Sequence, residues 1–305
     1  MIRRLADALK KQKIEFYENV PGSSLSTIRI GGPVALLVKP ACEGELLLCV
    51  KLCAAMAVPY AVIGRGSNLL FADDPMSLAV ILTERSDAVR RLSECRFYAQ
   101  CGVPLMRLSL LAAGSGYADL AFACGIPGSL GGALYMNAGA YGGEMADVVE
   151  SVEVYDLEYD KIKTYFIEEL SFSYRKSRFQ AEKCVILGAT LCFKKQAEPC
   201  AVLTQMRCLN KKRRTMQPIG LPSAGSAFKR SDPQISVAKM IDGSGLRGYR
   251  IGGAQISEKH TGFIVNAGDA TAADVKTLIA FVQNKLEEKY GCRPDPEIRF
   301  LPEDI

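Results

Sequence analysis

The chain alternates between apolar patterns with the period of a helix and short apolar runs typical of strands. Residues 45–57 repeat apolar side chains every three or four positions, which predicts a helix that Pro59 stops. The run 60–63 that follows is short and apolar, as in a buried strand. The same reading predicts further helices at 2–13, 104–113 and 198–216, and further strands at 78–82, 96–101, 148–155, 163–167, 184–193 and 297–301.

The clearest helix spans residues 271–290. Thr271 can cap its N-terminus together with Asp274, because a threonine and an acid three residues later satisfy each other's main-chain N–H groups. Gly291 suits the left-handed turn that ends a helix. The apolar stripe between them consists of Val275, Leu278, Ile279, Val282 and Leu286.

Composition narrows the class of protein. The 305 residues are enough for two or three lobes rather than one core. Hydrophobic residues make up 49% and charged residues 23%, as in an ordinary globular protein. A net charge of +5 is too small to indicate nucleic acid, yet it suits an anionic small-molecule substrate. No signal peptide and no bilayer-spanning stretch is recognised, so we expect a cytoplasmic protein without a membrane or nucleic-acid partner.

The cysteines and histidine argue against a metal centre. Eleven cysteines are scattered without a Cys-x-x-Cys pair, and His260 is the one histidine. Cysteines such as Cys49, Cys53, Cys184 and Cys192 lie beside aliphatic residues, so we expect small buried hydrophobes in a reducing compartment. We expect no metal, and a structural rather than catalytic His260.

Residues 125–144, GIPGSLGGALYMNAGAYGGE, are unusually rich in glycine. Tight turns are one explanation, but turns are usually polar and this segment carries Ile126, Leu130, Leu134 and Met136. We favour main chain folded closely around a large, flat and partly apolar cofactor, with bare N–H groups facing an anion.

A second glycine-containing loop, GRGSNLL at 64–70, follows the strand predicted at 60–63. The dinucleotide-binding fingerprint would need a third glycine where Leu69 stands, and a Walker loop would need a Gly-Lys pair, which the chain lacks. Two readings stay open at this point. One is a different pyrophosphate loop formed by the N–H groups of residues 65–68, and the other is a plain β-turn.

These segments and several others resemble, in the same order, the bacterial UDP-N-acetylenolpyruvoylglucosamine reductases. The resemblance runs from about residue 28 to about residue 300, and an ordered series is far more specific than any one motif. Beyond the two glycine-rich segments, the matching motifs are IRIGG at 28–32, SYRKSRF at 173–179, PSAGSAFK at 222–229, residues 241–253, GFIVN at 262–266 and PEIR at 296–299.

The resemblance implies a fold and a division of the chain. The fold is the FAD-binding fold of the vanillyl-alcohol-oxidase type, in which two α+β lobes hold FAD and a C-terminal α+β domain covers the substrate. We assign residues 1–75 to the first FAD-binding lobe, 76–195 to the second and 196–305 to the substrate domain. The last strand, 297–301, is a candidate to return to the active site.

The resemblance also implies an activity. In this family NADPH reduces the flavin, which then reduces the enolpyruvyl ether of UDP-N-acetylglucosamine to UDP-N-acetylmuramate, a precursor of peptidoglycan. The single histidine lies far along the chain from the first lobe, so we expect non-covalent FAD, with NADPH as co-substrate. We expect a monomer or a weak oligomer whose partners are these small molecules.

Site residues follow from the matching motifs. Arg175 is expected to stabilise an enolate-like intermediate, Ser226 to donate the proton, and Glu297 to hold Arg175 or a proton relay. Tyr141, Arg214 and Lys229 are expected to touch the substrate, with Lys211 and Lys212 left in solvent. The expected FAD contacts are Gly64, Arg65, Gly66, Ser67, Asn68, Leu69, Gly125, Ile126, Pro127, Gly128, Ser129, Ala133, Asn137, Gly139 and Ala140.

The chain departs from the family pattern in two places. Arg230, Ser231 and Asp232 stand where many relatives have a proline. Only a short stretch separates Phe179 from Cys184, so we expect the shorter subtype without a lid over the nucleotide. Two alternatives remain: an FAD-linked alcohol or sugar oxidase of the same fold, and a binding module without flavin chemistry.

Overall fold

The computed structural model describes residues 1–230 and 236–304, which form seven α-helices and seventeen strands. The helices are α1 (Ile2–Lys11), α2 (Glu43–Ala55), α3 (Leu105–Gly114), α4 (Leu130–Tyr135), α5 (Pro199–Met216), α6 (Val237–Gly243) and α7 (Ala272–Tyr290). The strands are β1 (Glu15–Pro21), β2 (Pro33–Lys39), β3 (Tyr60–Ile63), β4 (Leu69–Phe71), β5 (Met76–Leu82), β6 (Val89–Arg91), β7 (Arg96–Gln100), β8 (Gly139–Ala140), β9 (Gly143–Glu144), β10 (Val149–Asp156), β11 (Lys161–Phe166), β12 (Cys184–Cys192), β13 (Ser223–Ser226), β14 (Arg250–Ile251), β15 (Ala254–Ile256), β16 (Phe263–Asn266) and β17 (Arg299–Leu301).

The first sheet has the strand order β1-β2-β5-β3, with α1 and α2 packed on it through a common core. Strand β5 pairs in parallel with β2 on one side and with β3 on the other. Six of its seven residues are buried, as is typical of a central strand in a sheet that is covered on both faces. This central position differs from the expected division, which placed β5 in the second lobe. We therefore propose that the first boundary follows Leu82 rather than residue 75.

The second sheet is antiparallel and has the order β11-β10-β12-β7-β6. Its inner face packs on α3, α4 and the glycine-rich segment, and its core includes Phe97, Leu130 and Leu191. From the single 3₁₀ turn Arg178–Gln180 the chain passes almost directly into β12. No lid is inserted there, as the short spacing predicted.

Helix α5 packs on the second lobe, although the expected division gave it to the substrate domain. Val202 and Met206 of α5 are buried against Ala113, Ala121 and Cys124, which belong to α3 and the 3₁₀ turn Ala121–Gly125. The apolar face of α5 is therefore buried by the second lobe, before the chain reaches the strands of the third sheet. We propose that the substrate domain starts after Met216.

The third sheet, β13-β16-β15-β14, is antiparallel and carries α6 and α7. Helix α7 has the predicted capping box, with Asp274 donating its N–H to Thr271 Oγ1 at 3.0 Å and Thr271 donating its N–H to Asp274 Oδ2 at 3.0 Å. Gly291 ends the helix in the left-handed conformation, at φ 63°. The predicted stripe Val275–Leu286 is buried in the domain core.

The third sheet is tied to the first lobe along its length. Asp73 accepts the N–H groups of Ala272 and Ala273 at 2.7 and 3.0 Å, which adds a second cap from outside the domain. Ile28, Ile30 and Leu70 lie within the core of the third domain. Strand β17 then returns to pair in parallel with β4, so the chain terminus closes against the first lobe.

We predict that Thr271→Ala lowers the free energy of unfolding by about 1 kcal/mol, because the substitution leaves an N-terminal N–H of α7 without its acceptor. Urea denaturation of the purified protein measures the change. Thr277→Ala, on the exposed side of the same helix, is the matched control and should cost far less. Equal losses in the two variants would contradict the capping role.

Candidate active site

A cavity of about 840 Å³ lies where the three sheets meet. Its wall contains most residues expected at the site, together with several that the sequence did not indicate. Arg175, Ser226 and Glu297 all line it. So do the expected cofactor contacts Gly64, Arg65, Gly66, Ser67, Asn68, Leu69, Ile126, Pro127, Gly128, Ser129, Ala133, Gly139 and Ala140.

The loop between β3 and β4 presents main-chain N–H groups to this cavity. Within residues 1–230 and 236–304, the N–H groups of residues 65–68 donate no hydrogen bond, although all four residues line the wall. Gly66 adopts φ +59°, and a Cβ there would lie 1.9 Å from the carbonyl oxygen of Leu25. A glycine is therefore required to bring consecutive N–H groups to one side, as in an anion-binding nest.

Ser129 faces this loop across a very close approach. A Cβ added at Gly64 would lie 2.0 Å from Ser129 Oγ, so the two main-chain segments meet only because residue 64 is glycine. Ser129 is 1% exposed, and its hydroxyl has no partner within the described residues. A buried unpaired hydroxyl beside free N–H groups fits an acceptor-rich ligand such as the pyrophosphate of FAD.

The glycine-rich segment contains a short helix that the sequence did not predict. Residues Leu130–Tyr135 form α4, and a Cβ at Gly131 would lie 3.0 Å from Cys101 Cβ, so this glycine serves close helix packing. Gly125 likewise packs against α5, where a Cβ would lie 2.8 Å from Asn210 Oδ1. Gly125 does not line the cavity.

Asn137 also lies outside the cavity wall and is fully buried. Its side chain donates to the carbonyl of Ser173 at 3.0 Å and accepts the N–H of Ala146 at 3.0 Å. Asn137 therefore fixes the base of the turn that carries Arg175, and its expected contact with the cofactor stays a prediction.

Arg175 stands at the tip of a two-residue hairpin. Ser173 and Lys176 exchange main-chain hydrogen bonds at 3.1 Å, and Arg175 adopts a left-handed φ of +56°. Its Nε donates to Glu297 Oε1 at 2.6 Å and its Nη2 to the carbonyl of Gly139 at 3.1 Å. An uncommon backbone conformation at a residue held by two partners is typical of a functional position.

Glu297 joins all three parts of the molecule. Its N–H donates to the carbonyl of Ala227 at 2.9 Å, and its own carbonyl accepts from Asn68 Nδ2 at 2.9 Å. The side chain is 12% exposed, and burial raises the pKa of the Glu297 carboxyl, while Arg175 acts in the opposite direction. A buried carboxylate paired with a guanidinium holds one edge of the latter in place.

Ser226 ends strand β13, next to Gly225, whose φ is +81°. The following residue, Ala227, receives the N–H of Glu297, so Ser226 and the Arg175–Glu297 pair are joined by a single main-chain hydrogen bond. The three residues expected to be catalytic thus line one wall of the cavity.

The expected substrate residues lie nearby but do not line the cavity wall. Tyr141 donates its hydroxyl to the carbonyl of Leu209 on α5 at 3.2 Å. The carbonyl of Arg214 accepts from Lys259. Lys229 donates its N–H to the carbonyl of Asp295 at 2.8 Å, and its charge acts on Glu297.

Arg213, one residue earlier than expected, does line the cavity. It is half-buried, burial lowers its pKa, and its guanidinium makes no salt bridge or hydrogen bond within the described residues. An unpaired guanidinium in such a place calls for an anionic ligand.

The sequence analysis noted that Arg230, Ser231 and Asp232 depart from the family pattern. Of these three residues, Ser231 and Asp232 lie outside the described residues.

Tyr135 and Met136 lie inside the glycine-rich segment, where neither was assigned a role of its own, although Met136 was one of the apolar residues that favoured a cofactor over plain turns. Arg299 directs Nη2 to Tyr135 Oη at 3.2 Å, and Gln180 donates to the carbonyl of Arg175 at 3.0 Å. The PEIR motif at 296–299 contains Arg299, but Glu297 was the one residue of this motif to which the sequence analysis assigned a role.

No metal centre or membrane span is found in the part of the chain that the structure describes. No three metal-ligating side chains cluster there, and no helix is both long and apolar enough to cross a bilayer. His260 accepts the N–H of Gly262 at 3.1 Å and packs edge-on against Phe263, which lines the cavity, while His260 itself does not. Burial raises the pKa of the cavity-lining thiols of Cys101 and Cys184 to about 12, which keeps them protonated.

Comparison with known proteins agrees with this geometry. Residues 34–161 match the FAD binding domain family, and residues 217–301 match the C-terminal domain of UDP-N-acetylenolpyruvoylglucosamine reductase. The reductases of Caldicellulosiruptor bescii and Thermotoga petrophila are 42% and 44% identical over 97% and 90% of this chain, which is 93% and 94% of their own length. The crystal structure of the reductase from Thermus caldophilus superposes with a TM-score of 0.78 at 33% identity, covering 95% of this chain and 99% of that one. The predicted two-lobe FAD-binding architecture with a C-terminal domain is thereby confirmed, and this chain belongs to the UDP-N-acetylenolpyruvoylglucosamine reductase family.

Proposed function

We propose that this protein uses NADPH to reduce the enolpyruvyl ether of UDP-N-acetylglucosamine to UDP-N-acetylmuramate. One observation carries the proposal: the buried Arg175–Glu297 pair and Ser226 line the same cavity as the free N–H groups of residues 65–68. The names of the relatives support a reductase over an oxidase or a binding module.

FAD would be held between the 64–69 loop and the segment 126–140. The free N–H groups of residues 65–68 and the Ser129 hydroxyl would receive its pyrophosphate. When bound, FAD supplies a hydride carrier, which no side chain can replace. The protonated thiols of Cys101 and Cys184 favour non-covalent attachment.

Arg175 would stabilise negative charge on the substrate carboxylate. Glu297 and Gly139 occupy its Nε and one N–H of Nη2, which leaves the remaining N–H groups of a planar, permanently charged side chain for the ligand. Because the guanidinium is already oriented, little reorganisation is needed as charge develops.

Ser226 would hold the proton that completes the reduction at the carbon next to the hydride acceptor. A serine is a weak acid, so its alkoxide needs nearby positive charge. Arg175 lines the same cavity, and the charge of Lys229 reaches the neighbouring Glu297. Arg213 is a candidate cation for the diphosphate of the substrate, because its guanidinium lines the cavity without an anionic partner.

We predict that the purified protein is yellow and releases FAD on denaturation, and that Gly64→Ala weakens FAD binding about tenfold, since the new methyl group would collide with Ser129 Oγ. Fluorescence titration of the apoprotein measures the affinity. Gly114→Ala, in α3 with open space around its Cβ position, is the control and should bind FAD normally. A colourless protein that gains no flavin on reconstitution would sink the redox proposal.

We predict that Ser226→Ala leaves flavin reduction by NADPH unchanged but slows reoxidation by the enolpyruvyl substrate about a hundredfold or more, because only the second half-reaction needs the proton. Stopped-flow absorbance follows the two half-reactions separately. Ser223→Ala, at the other end of β13 and outside the cavity wall, is the control. Equal slowing of both half-reactions would assign Ser226 a different role.

We predict that the rate of reoxidation falls as the pH decreases through a pKa above 4.5, the ordinary value for glutamate. Burial raises the pKa of Glu297, and only its ionised form pairs with Arg175, so the pairing is present above that pKa and lost below it. Glu297→Gln should be slow at every pH and should lack this acidic limb. An unchanged limb in the variant, or a wild-type rate that rises on acidification, would contradict the role.

A further inference from the structure

Tyr174, the other tip residue of the Arg175 hairpin, lies against two guanidinium groups. The Cζ of Arg175 is 5.0 Å from the centroid of its ring, and the Cζ of Arg230 is 4.7 Å from the same centroid. The main-chain N–H of Arg230 also donates to Tyr174 Oη at 3.3 Å. The ring thus connects a residue of the second lobe with one of the third domain.

The two arginines have different attachments. One edge of the Arg175 guanidinium, formed by Nε and Nη2, donates to Glu297 and Gly139. These two hydrogen bonds do not prevent the plane of the guanidinium from tilting about that edge. Arg230 follows shortly after the strand that ends at Ser226, and its neighbour Lys229 donates its main-chain N–H to the carbonyl of Asp295. An aromatic ring attracts a cation over its face, and Tyr174 makes both contacts although 37% of its surface is exposed.

On this basis we propose that Tyr174 is a positioning residue that holds the guanidinium of Arg175 flat and couples it to the third domain through Arg230. The proposal rests on the proposed function for its effect on catalysis, but the coupling itself is a property of the fold. Tyr174 does not line the cavity, so it acts through Arg175 and does not touch the substrate.

The first test separates the ring from the hydroxyl. Tyr174→Leu removes both and should slow reoxidation by the enolpyruvyl substrate about tenfold, with flavin reduction by NADPH unchanged. Tyr174→Phe keeps the ring and should recover most of the rate. Tyr165→Leu is the control, because it removes a comparable stack in which Arg178 Cζ lies 3.6 Å from the centroid of the Tyr165 ring. Neither residue lines the cavity, so this change should have no effect on either half-reaction.

The second test asks whether Tyr174 acts through Arg175. In an Arg175→Ala background, Tyr174→Leu should cause no further slowing, since there is no guanidinium left to position. Slowing by the same factor in both backgrounds would overturn the proposal, as would a Tyr174→Phe variant as slow as Tyr174→Leu.

A stability cycle tests the coupling without any turnover. Urea denaturation of wild type, Tyr174→Leu, Arg230→Ala and the double variant should show less than additive losses, because the two single changes remove the same stack. Strict additivity would overturn the link to the third domain. A wild-type protein that failed to reduce the enolpyruvyl substrate would defeat the proposed function, and this cycle would still decide the coupling.

Discussion

The arrangement of the site depends on the junction at Glu297. Its N–H bonds to the third domain at Ala227, its carbonyl to the first lobe at Asn68, and its carboxylate to Arg175 of the second lobe. Three separately built sheets are therefore registered against one another at a single residue. Any displacement of one sheet would break a hydrogen bond at the point where the candidate catalytic groups meet.

This junction contributes more to specificity of structure than to stability. The Arg175 and Glu297 side chains are 17% and 12% exposed, so both ions lose much of their hydration. Buried ion pairs regain little net free energy compared with apolar residues, although loss of one partner is strongly destabilising. The raised pKa of Glu297 reports the same desolvation. The pair is therefore better explained by chemistry than by folding energetics, which is consistent with the strained backbone of Arg175.

Local patterns predicted local structure well. The capping box, apolar stripe and terminal glycine of α7 agree because each acts within a few residues. Strand β3 was predicted with both of its ends, since an apolar run between Pro59 and Gly64 has few alternatives. Helix α4 was missed because its glycines, which pack closely on Cys101, resemble turn residues in the sequence.

Long-range relations could not be read in the same way. Which sheet accepts β5, and which lobe accepts α5, depends on partners far along the chain. Arg213 and Arg214 are neighbours in a basic run, but one residue in a helix turns the side chain by about 100°, and only the fold shows which one faces the cavity. The resemblance named Arg175, Ser226 and Glu297 as one group of site residues. That all three line one cavity depends on the tertiary fold and is seen in the structure.

The closure of β17 on β4 has a consequence for how the molecule is made. Leu69–Phe71 is synthesised long before its partner Arg299–Leu301. Ile28, Ile30 and Leu70 likewise stay exposed until the residues of the third domain that bury them have been synthesised. Until Arg299–Leu301 has been synthesised, the nascent chain therefore carries an open strand edge and exposed apolar side chains, to which chaperones would bind.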